Sequence, residues 1–282
     1  MAETKLPSFI VVGPPRTGTS WLHKVLSPYA KLPGPTKETR FFDLHFHKGL
    51  DWYLSHFPAI NDNQPMGEVA PTYFVSSDAR QRIAQTIPDV KLIFMFRNPV
   101  QRVVSLYRMK RAYGMIPWNF EDALEKDSEL IDSGMYSTQL SEWRRMFSDE
   151  QMLVTVYDDL RSNPQQFIDS ITAFIGISPI TLDESMLGYV YSSERMTEPR
   201  SYLATKTATV FADWCKARKL DRFVAGVRNS ALMNLFLGGG DALTEASPTA
   251  LRQLGEKFLP EVEGIETLLG RPLEAWKVKK LA

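Results

Sequence analysis

The segment Gly13-Pro14-Pro15-Arg16-Thr17-Gly18-Thr19-Ser20 puts two glycines, one arginine and three hydroxyls within eight residues. A turn of this composition between a strand and a helix points main-chain N–H groups inward and sets an anion on the helix N-terminus. Arg16 adds a permanent charge and a planar fork of donors. A competing reading is the P-loop of a nucleotide kinase or triphosphatase, which has the same glycine spacing followed by Lys and then Ser or Thr. Here Thr19 stands at the lysine position and the cation has moved inside the loop, to Arg16. For the glycine spacing by itself, an ordinary strand-to-helix turn is the third reading. The clustering of Arg16 with the hydroxyls favours phosphate.

A second cation lies in KLIFMFRNPVQRVVSLYRMKR. Arg97 follows the last apolar residue of a strand, and Ser105 follows it on the next helix. In an open α/β sheet, ligands bind beyond the carboxyl ends of the strands, so Arg97 is expected to face the same crevice as the first loop. A triphosphatase commonly places a metal-holding Asp at such a strand end; an arginine there suits an anion. The alternative is a structural salt bridge from Arg97. Arg102, Arg108, Lys110 and Arg111 are read as a solvated helix face.

The elements that must position these residues follow from periodicity. Ser8–Val12, Met66–Ala70, Lys91–Phe96 and Gln151–Val156 read as strands, and Lys91–Phe96 is an almost continuous apolar run. Between and after them, helices are expected over Thr17–Leu26, Asp78–Ile87, Val100–Tyr113 (with Pro99 at its start), Tyr136–Phe147 and Pro164–Ile175, the last ending at Gly176. Alternating strands and helices predict an α/β fold, a P-loop-like central parallel sheet flanked by helices. From about Gly188 the chain reads as mostly helical. Ser247 caps a long terminal helix or helix pair that is broken near Pro260.

Together the two anion segments resemble the sulfotransferase family, the first in its PPRTGTSWL form and the second in its RNPVQRVVSLY form. The resemblance runs from residue 8 to about 176. KETRFFD, HKGLDWYLSHFP and GEVAPTYF look like the glycosaminoglycan-type branch, and LRQLGEKFLPEVEGIETLLGRPLEAW looks like bacterial members. It implies a 3′-phosphoadenosine 5′-phosphosulfate co-substrate with no metal required. Arg16, Thr17, Gly18, Thr19 and Ser20, with Trp21 beside them, would contact the 5′-phosphosulfate, and Arg97 and Ser105 the 3′-phosphate. Many members carry Lys at the Arg16 position, which keeps the charge and changes its geometry. Arg200 and Ser201 are candidates for a further loop over the cofactor.

Sulfuryl transfer needs an in-line nucleophile, a base and a cation on the leaving oxygen, so positioning and electrostatics dominate its catalysis. Arg16 is the expected leaving-group stabiliser. Glu38 is the expected base, in a loop rich in Pro and Thr and ahead of Phe41-Phe42, which would dry it. The resemblance also puts the base there, with Lys37 helping to bind the sulfuryl group. Glu68, His45, His47 and His56 are rivals. Trp52, Tyr53, Tyr73 and Phe74 read equally as acceptor pocket or as core.

Composition sets the bounds. Lys plus Arg and Asp plus Glu each total 33, so nothing resembles the basic excess of a nucleic-acid binder. The single cysteine, Cys215, excludes an internal disulfide. Phe9–Val12 is too short for a signal peptide or a membrane span, so a cytoplasmic single domain over 1–282 is expected. A small-molecule, glycolipid or carrier-bound acceptor suits this balance better than a long polyanion. Two other functions stand beside transfer: a kinase or triphosphatase with a degenerate P-loop, and a non-catalytic nucleotide-binding module. Acceptor and oligomeric state are left open.

Overall fold

The computed structural model describes residues 5–58, 64–187, 207 and 246–277. Four strands, β1 (Phe9–Gly13), β2 (Gly67–Val69), β3 (Lys91–Phe96) and β4 (Met152–Val156), form a parallel sheet in the order β2-β1-β3-β4. Phe9 pairs with Gly67 on one side and Lys91 on the other, and Phe94 of β3 pairs with Val154. Every residue of β1 is buried. Alternate side chains leave opposite faces of a strand, so a strand covered on both faces must be apolar throughout.

The alternation sorts the core. Ile10, Val12, Leu92, Phe94 and Phe96 face one helix layer, with Ile83 of α3 (Ser77–Thr86), Trp143 of α7 (Tyr136–Arg144) and Ile265 of α11 (Pro248–Leu269). Phe9, Val11, Ile93 and Met95 face the other, with Leu22 of α1 (Thr19–Leu26) and Ile171 of α9 (Pro164–Ile175). A satellite cluster joins Leu106 of α4 (Pro99–Ala112), Phe120 of α5 (Phe120–Lys126), Leu130 of α6 (Glu129–Asp132) and Phe258 of α11. Three shorter helices complete the described chain: α2 (Leu50–Leu54), α8 (Tyr157–Ser162) and α10 (Glu184–Leu187).

Two expectations are corrected. The last long helix is not broken at Pro260, which sits inside α11. Pro260 and Glu256, whose carbonyl loses its helical partner, both lie on the exposed face, where that carbonyl need not be buried without a partner. Phe258, Glu261, Val262 and Ile265 hold both halves down on the buried face. Arg102 and Lys110 are not solvated: both are buried, on the same stripe as Leu106. Lys110 pairs with Asp127 and Glu129, each at 2.6 Å. Among the described residues no helix is long and apolar enough to cross a membrane.

The chain leaves β1 toward β2 on one side and later reaches β3 on the other. The carboxyl ends of β1 and β3 are adjacent, and between these two strands the order reverses, which is where a crevice opens in such sheets. Both anion segments start there.

Candidate active site

Gly13 ends β1 at φ +93°, and a Cβ on it would stand 2.5 Å from the Pro71 Cα, so the loop turns against the end of β2 only without a side chain. The peptide bonds Gly13–Pro14 and Gly34–Pro35 are cis. Thr17 Oγ1 donates to the Pro14 carbonyl at 2.7 Å and closes the loop on itself. Gly18, at φ +99°, is the N-cap of α1. Leu22 N–H to Gly18 O is the helix's first bond of that series, so the N–H groups of Thr19, Ser20 and Trp21 come before it, at the positive end of the helix. The Trp21 side chain is turned into the core, against Phe167, and its indole N–H goes to the Met186 carbonyl at 2.9 Å. What Trp21 offers a ligand is its main-chain N–H.

Arg16 reaches from the loop after β1 to α4. Its Nε donates to Ser105 Oγ of α4 at 2.9 Å, which brings the two anion segments into contact. Burial, and then the neighbouring Arg97, hold the Arg16 guanidinium below its ordinary pKa. Arg97 lies with its guanidinium 4.9 Å from the ring centre of Tyr157, and its buried Nε has no hydrogen-bond partner. Its other polar contact is a long one, 3.4 Å to Gln101 Oε1. Among the described residues neither arginine has a carboxylate partner. Among the described residues, then, Arg97 makes no structural salt bridge. Two like charges, partly desolvated and without a carboxylate partner among the described residues, make a site that gains by taking up an anion.

The Lys37–Glu38 segment approaches the Gly13–Ser20 loop through Ser20. Lys37 Nζ donates to Ser20 Oγ at 3.3 Å and to Glu38 Oε1 at 3.2 Å. About a quarter of the Glu38 side chain is exposed. Glu68 is fully buried instead, and accepts from Thr39 N–H (2.8 Å), Thr39 Oγ1 (2.7 Å), Tyr53 OH (3.0 Å) and Tyr73 OH (3.2 Å). Tyr53, Tyr73 and Phe74 are core, and Trp52 is half-buried with Lys48 over its ring at 4.4 Å. His45 and His56 pack their rings against Trp52, and His47 stands beside His45. Arg200 and Ser201 lie outside the described residues.

Two contributors were not found by reading the sequence. Tyr157 opens α8 directly after β4 and lies beside both arginines and Gly18; its place at a strand's carboxyl end was the available signal. Tyr136 donates its hydroxyl to the Arg97 carbonyl at 2.8 Å, and nothing in the local sequence connects the two.

A family model described as "Sulfotransferase domain" matches residues 6–219. The human bifunctional heparan sulfate N-deacetylase/N-sulfotransferase 2 is 32% identical over 198 residues, covering 62% of this chain and 22% of that protein. Mouse heparan sulfate glucosamine 3-O-sulfotransferase 3A1 is 31% identical over 189 residues, covering 64% of this chain and 48% of that one. The chain thus spans about a fifth to a half of the length of the relatives it matches. A sulfotransferase structure from Alicyclobacillus acidocaldarius superposes with a TM-score of 0.66 at 22% identity, over 97% of this chain and 99% of that one, and shows the shared fold. With a family model covering most of its length and a phosphate loop, strand-end arginine and helix serine in one crevice, the chain belongs to the sulfotransferase family.

Proposed function

We propose that the protein transfers a sulfuryl group from 3′-phosphoadenosine 5′-phosphosulfate to a hydroxyl or amine of a small-molecule or glycoside acceptor. The observation that carries this reading is the Arg16–Ser105 contact, with the unpaired Arg97 alongside. One crevice then has two cationic positions for a ligand with two separated anionic groups. The orphaned Arg97 Nε and the N–H groups opening α1 fit such a ligand.

The donor supplies an activated sulfuryl group on a phosphate leaving oxygen. Arg97 and Ser105 would hold the 3′-phosphate. Arg16, Thr17, Gly18, Thr19 and Ser20, with the Trp21 N–H, would hold the 5′ end, and Arg16 would neutralise charge that collects on the leaving oxygen. Glu38 would accept the acceptor's proton on its carboxylate, with Lys37 orienting it and attracting the sulfuryl oxygens. Partial exposure keeps Glu38 reachable from solvent, whereas Glu68 has four donors and no exposed surface. The sulfotransferase relatives are named for heparan sulfate, and sugar hydroxyls or amines head the acceptor classes to screen.

The test is thermal unfolding with and without 3′-phosphoadenosine 5′-phosphate in magnesium-free buffer, followed by labelled-donor transfer to an acceptor panel. A raised Tm that Arg97→Ala diminishes supports the reading; no shift at millimolar ligand ends it.

A further inference from the structure

Glu68 would be an odd residue to bury without a purpose. It is fully enclosed in the middle of β2, and among the described residues no lysine or arginine pairs with it. Its neighbour across the sheet is the apolar Ile10. All four of its hydrogen bonds come from neutral donors, and they converge from three directions: the Thr39 loop, Tyr53 of α2 and Tyr73 in the turn after β2.

The loop hangs on this carboxylate. Thr39 gives it both its N–H and its hydroxyl. The Phe41 N–H rests on the Thr39 hydroxyl at 3.1 Å, and the Phe42 N–H on the Tyr73 hydroxyl at 3.4 Å. Three main-chain N–H groups directly after Glu38 are thus fixed to one acid or to its immediate partners. We propose that Glu68 is the positioning residue for Glu38, fastening the loop that carries the base to β2 through Thr39 and Tyr73. This rests on reading Glu38 as the base.

Ionisation is part of the design. A carboxylate accepts from all four donors, whereas a carboxylic acid must give one contact over to its own proton. Burial raises Glu68 to about 7, against the hydrogen bonds that lower it. Tyr53 and Tyr73, the titratable groups touching it, stay protonated because burial pushes their phenols well up, and Asp43 acts on Tyr73 in the same sense. These hydrogen bonds favour the carboxylate while burial favours the acid, so the loop's hold on a still-enclosed Glu68 tightens above neutral pH even though the fold as a whole is less stable there.

Amide hydrogen exchange over Thr39–Phe42, corrected for intrinsic rates, reads the anchor without any turnover. Protection in the wild type should rise roughly tenfold between pH 6 and 8, the worth of one charge-assisted hydrogen bond. In Glu68→Gln it should stay low and flat. In transfer assays Thr39→Val and Glu68→Gln should each lower kcat roughly tenfold, with affinity for 3′-phosphoadenosine 5′-phosphate within about twofold. Thr39→Ser should restore kcat. Tyr53→Phe, on the far side of the carboxylate, should lower Tm comparably with a smaller loss of kcat. A flat wild-type exchange profile, or kcat losses that simply follow Tm across all four variants, overturns the proposal. Wild-type protein that shows the exchange response and transfers to no acceptor strikes the reaction and leaves the anchor standing.

Discussion

Arg16 and Ser105 are 89 positions apart, yet the arginine Nε donates to the serine hydroxyl at 2.9 Å. One residue belongs to the loop after β1 and the other to the helix after β3. Their contact follows from the sheet order, which makes the carboxyl ends of β1 and β3 neighbours. The hydroxyl is holding a cation that a bound phosphate would also engage.

Removing the strand-end cation should therefore weaken the ligand more than removing the hydroxyl. Arg97→Ala deletes a charged donor worth about 2 kcal/mol, so affinity for 3′-phosphoadenosine 5′-phosphate should fall roughly 30-fold. Ser105→Ala deletes a neutral partner worth about 1 kcal/mol and should cost roughly fivefold. Calorimetric titration checks both. Equal losses, or none, would show that Arg97 does not face the ligand.

A chain of contacts behind Arg97 gives a second expectation. Tyr136 donates to the Arg97 carbonyl, and the buried Arg102 beside it donates from its two terminal nitrogens to Ser133 Oγ at 2.7 Å and the Leu130 carbonyl at 2.5 Å. Arg102→Ala leaves a cavity and an unsatisfied carbonyl and should destabilise by roughly 3 kcal/mol. Tyr136→Phe removes one hydrogen bond and should cost about 1 kcal/mol. Denaturant titration measures both. Only Tyr136→Phe should also loosen ligand binding out of proportion to its effect on stability, because it frees the main chain of Arg97 directly.

These buried cations also show what the sequence concealed. β3 was legible to the residue, because Lys91–Phe96 is apolar without interruption and a strand covered on both faces requires that. The turn from β1 into α1 was legible because its glycines fall where the chain must take up positive φ. Arg102 and Lys110 were not: their charge suggested solvent, although each is four residues from Leu106 and must share its stripe. Pro260 suggested a break, because a proline's cost depends on which face its missing bond points to. Glu68 read as a rival base, since only the fold brings Thr39, Tyr53 and Tyr73 to it.

The pH dependence of stability offers a third prediction. Glu68 moves from an ordinary 4.5 to about 7 on folding, so the folded state holds this proton more tightly than the unfolded chain. Its contribution is complete below 4.5 and is lost as pH rises through 7, on the order of 3 kcal/mol in all. His23, lowered from 6.5 to about 4 chiefly by burial and then by Lys37, acts oppositely, and its stability is lost as pH falls from 6.5 toward 4. The half-buried His23 opposes Glu68 below 6.5, so the wild-type profile there should be shallow. In Glu68→Gln that opposition is gone, and Tm should climb with pH from 5 to 7. A mutant profile parallel to the wild type would mean that Glu68 does not titrate in this range.

The glycines of the loop separate stability from binding. An alanine Cβ at Gly13 would overlap Pro71 main-chain atoms, with the Cα at 2.5 Å and the carbonyl oxygen at 2.9 Å, and main chain cannot rotate away. With the added strain of φ +93°, Gly13→Ala should destabilise by at least about 2 kcal/mol. At Gly18 the nearest atoms are side-chain carbons of Leu160 and Tyr157 at 3.1 Å, which can yield by a few tenths of an ångström. Gly18→Ala should then cost about 1 to 2 kcal/mol, mostly from its left-handed φ. Its larger effect should be on affinity for 3′-phosphoadenosine 5′-phosphate, because Tyr157, one of the two side chains that must give way, lies against the Arg97 guanidinium. Parallel measurement of Tm and ligand affinity tests the split: Gly18→Ala losing stability without affinity would remove Tyr157 from the site.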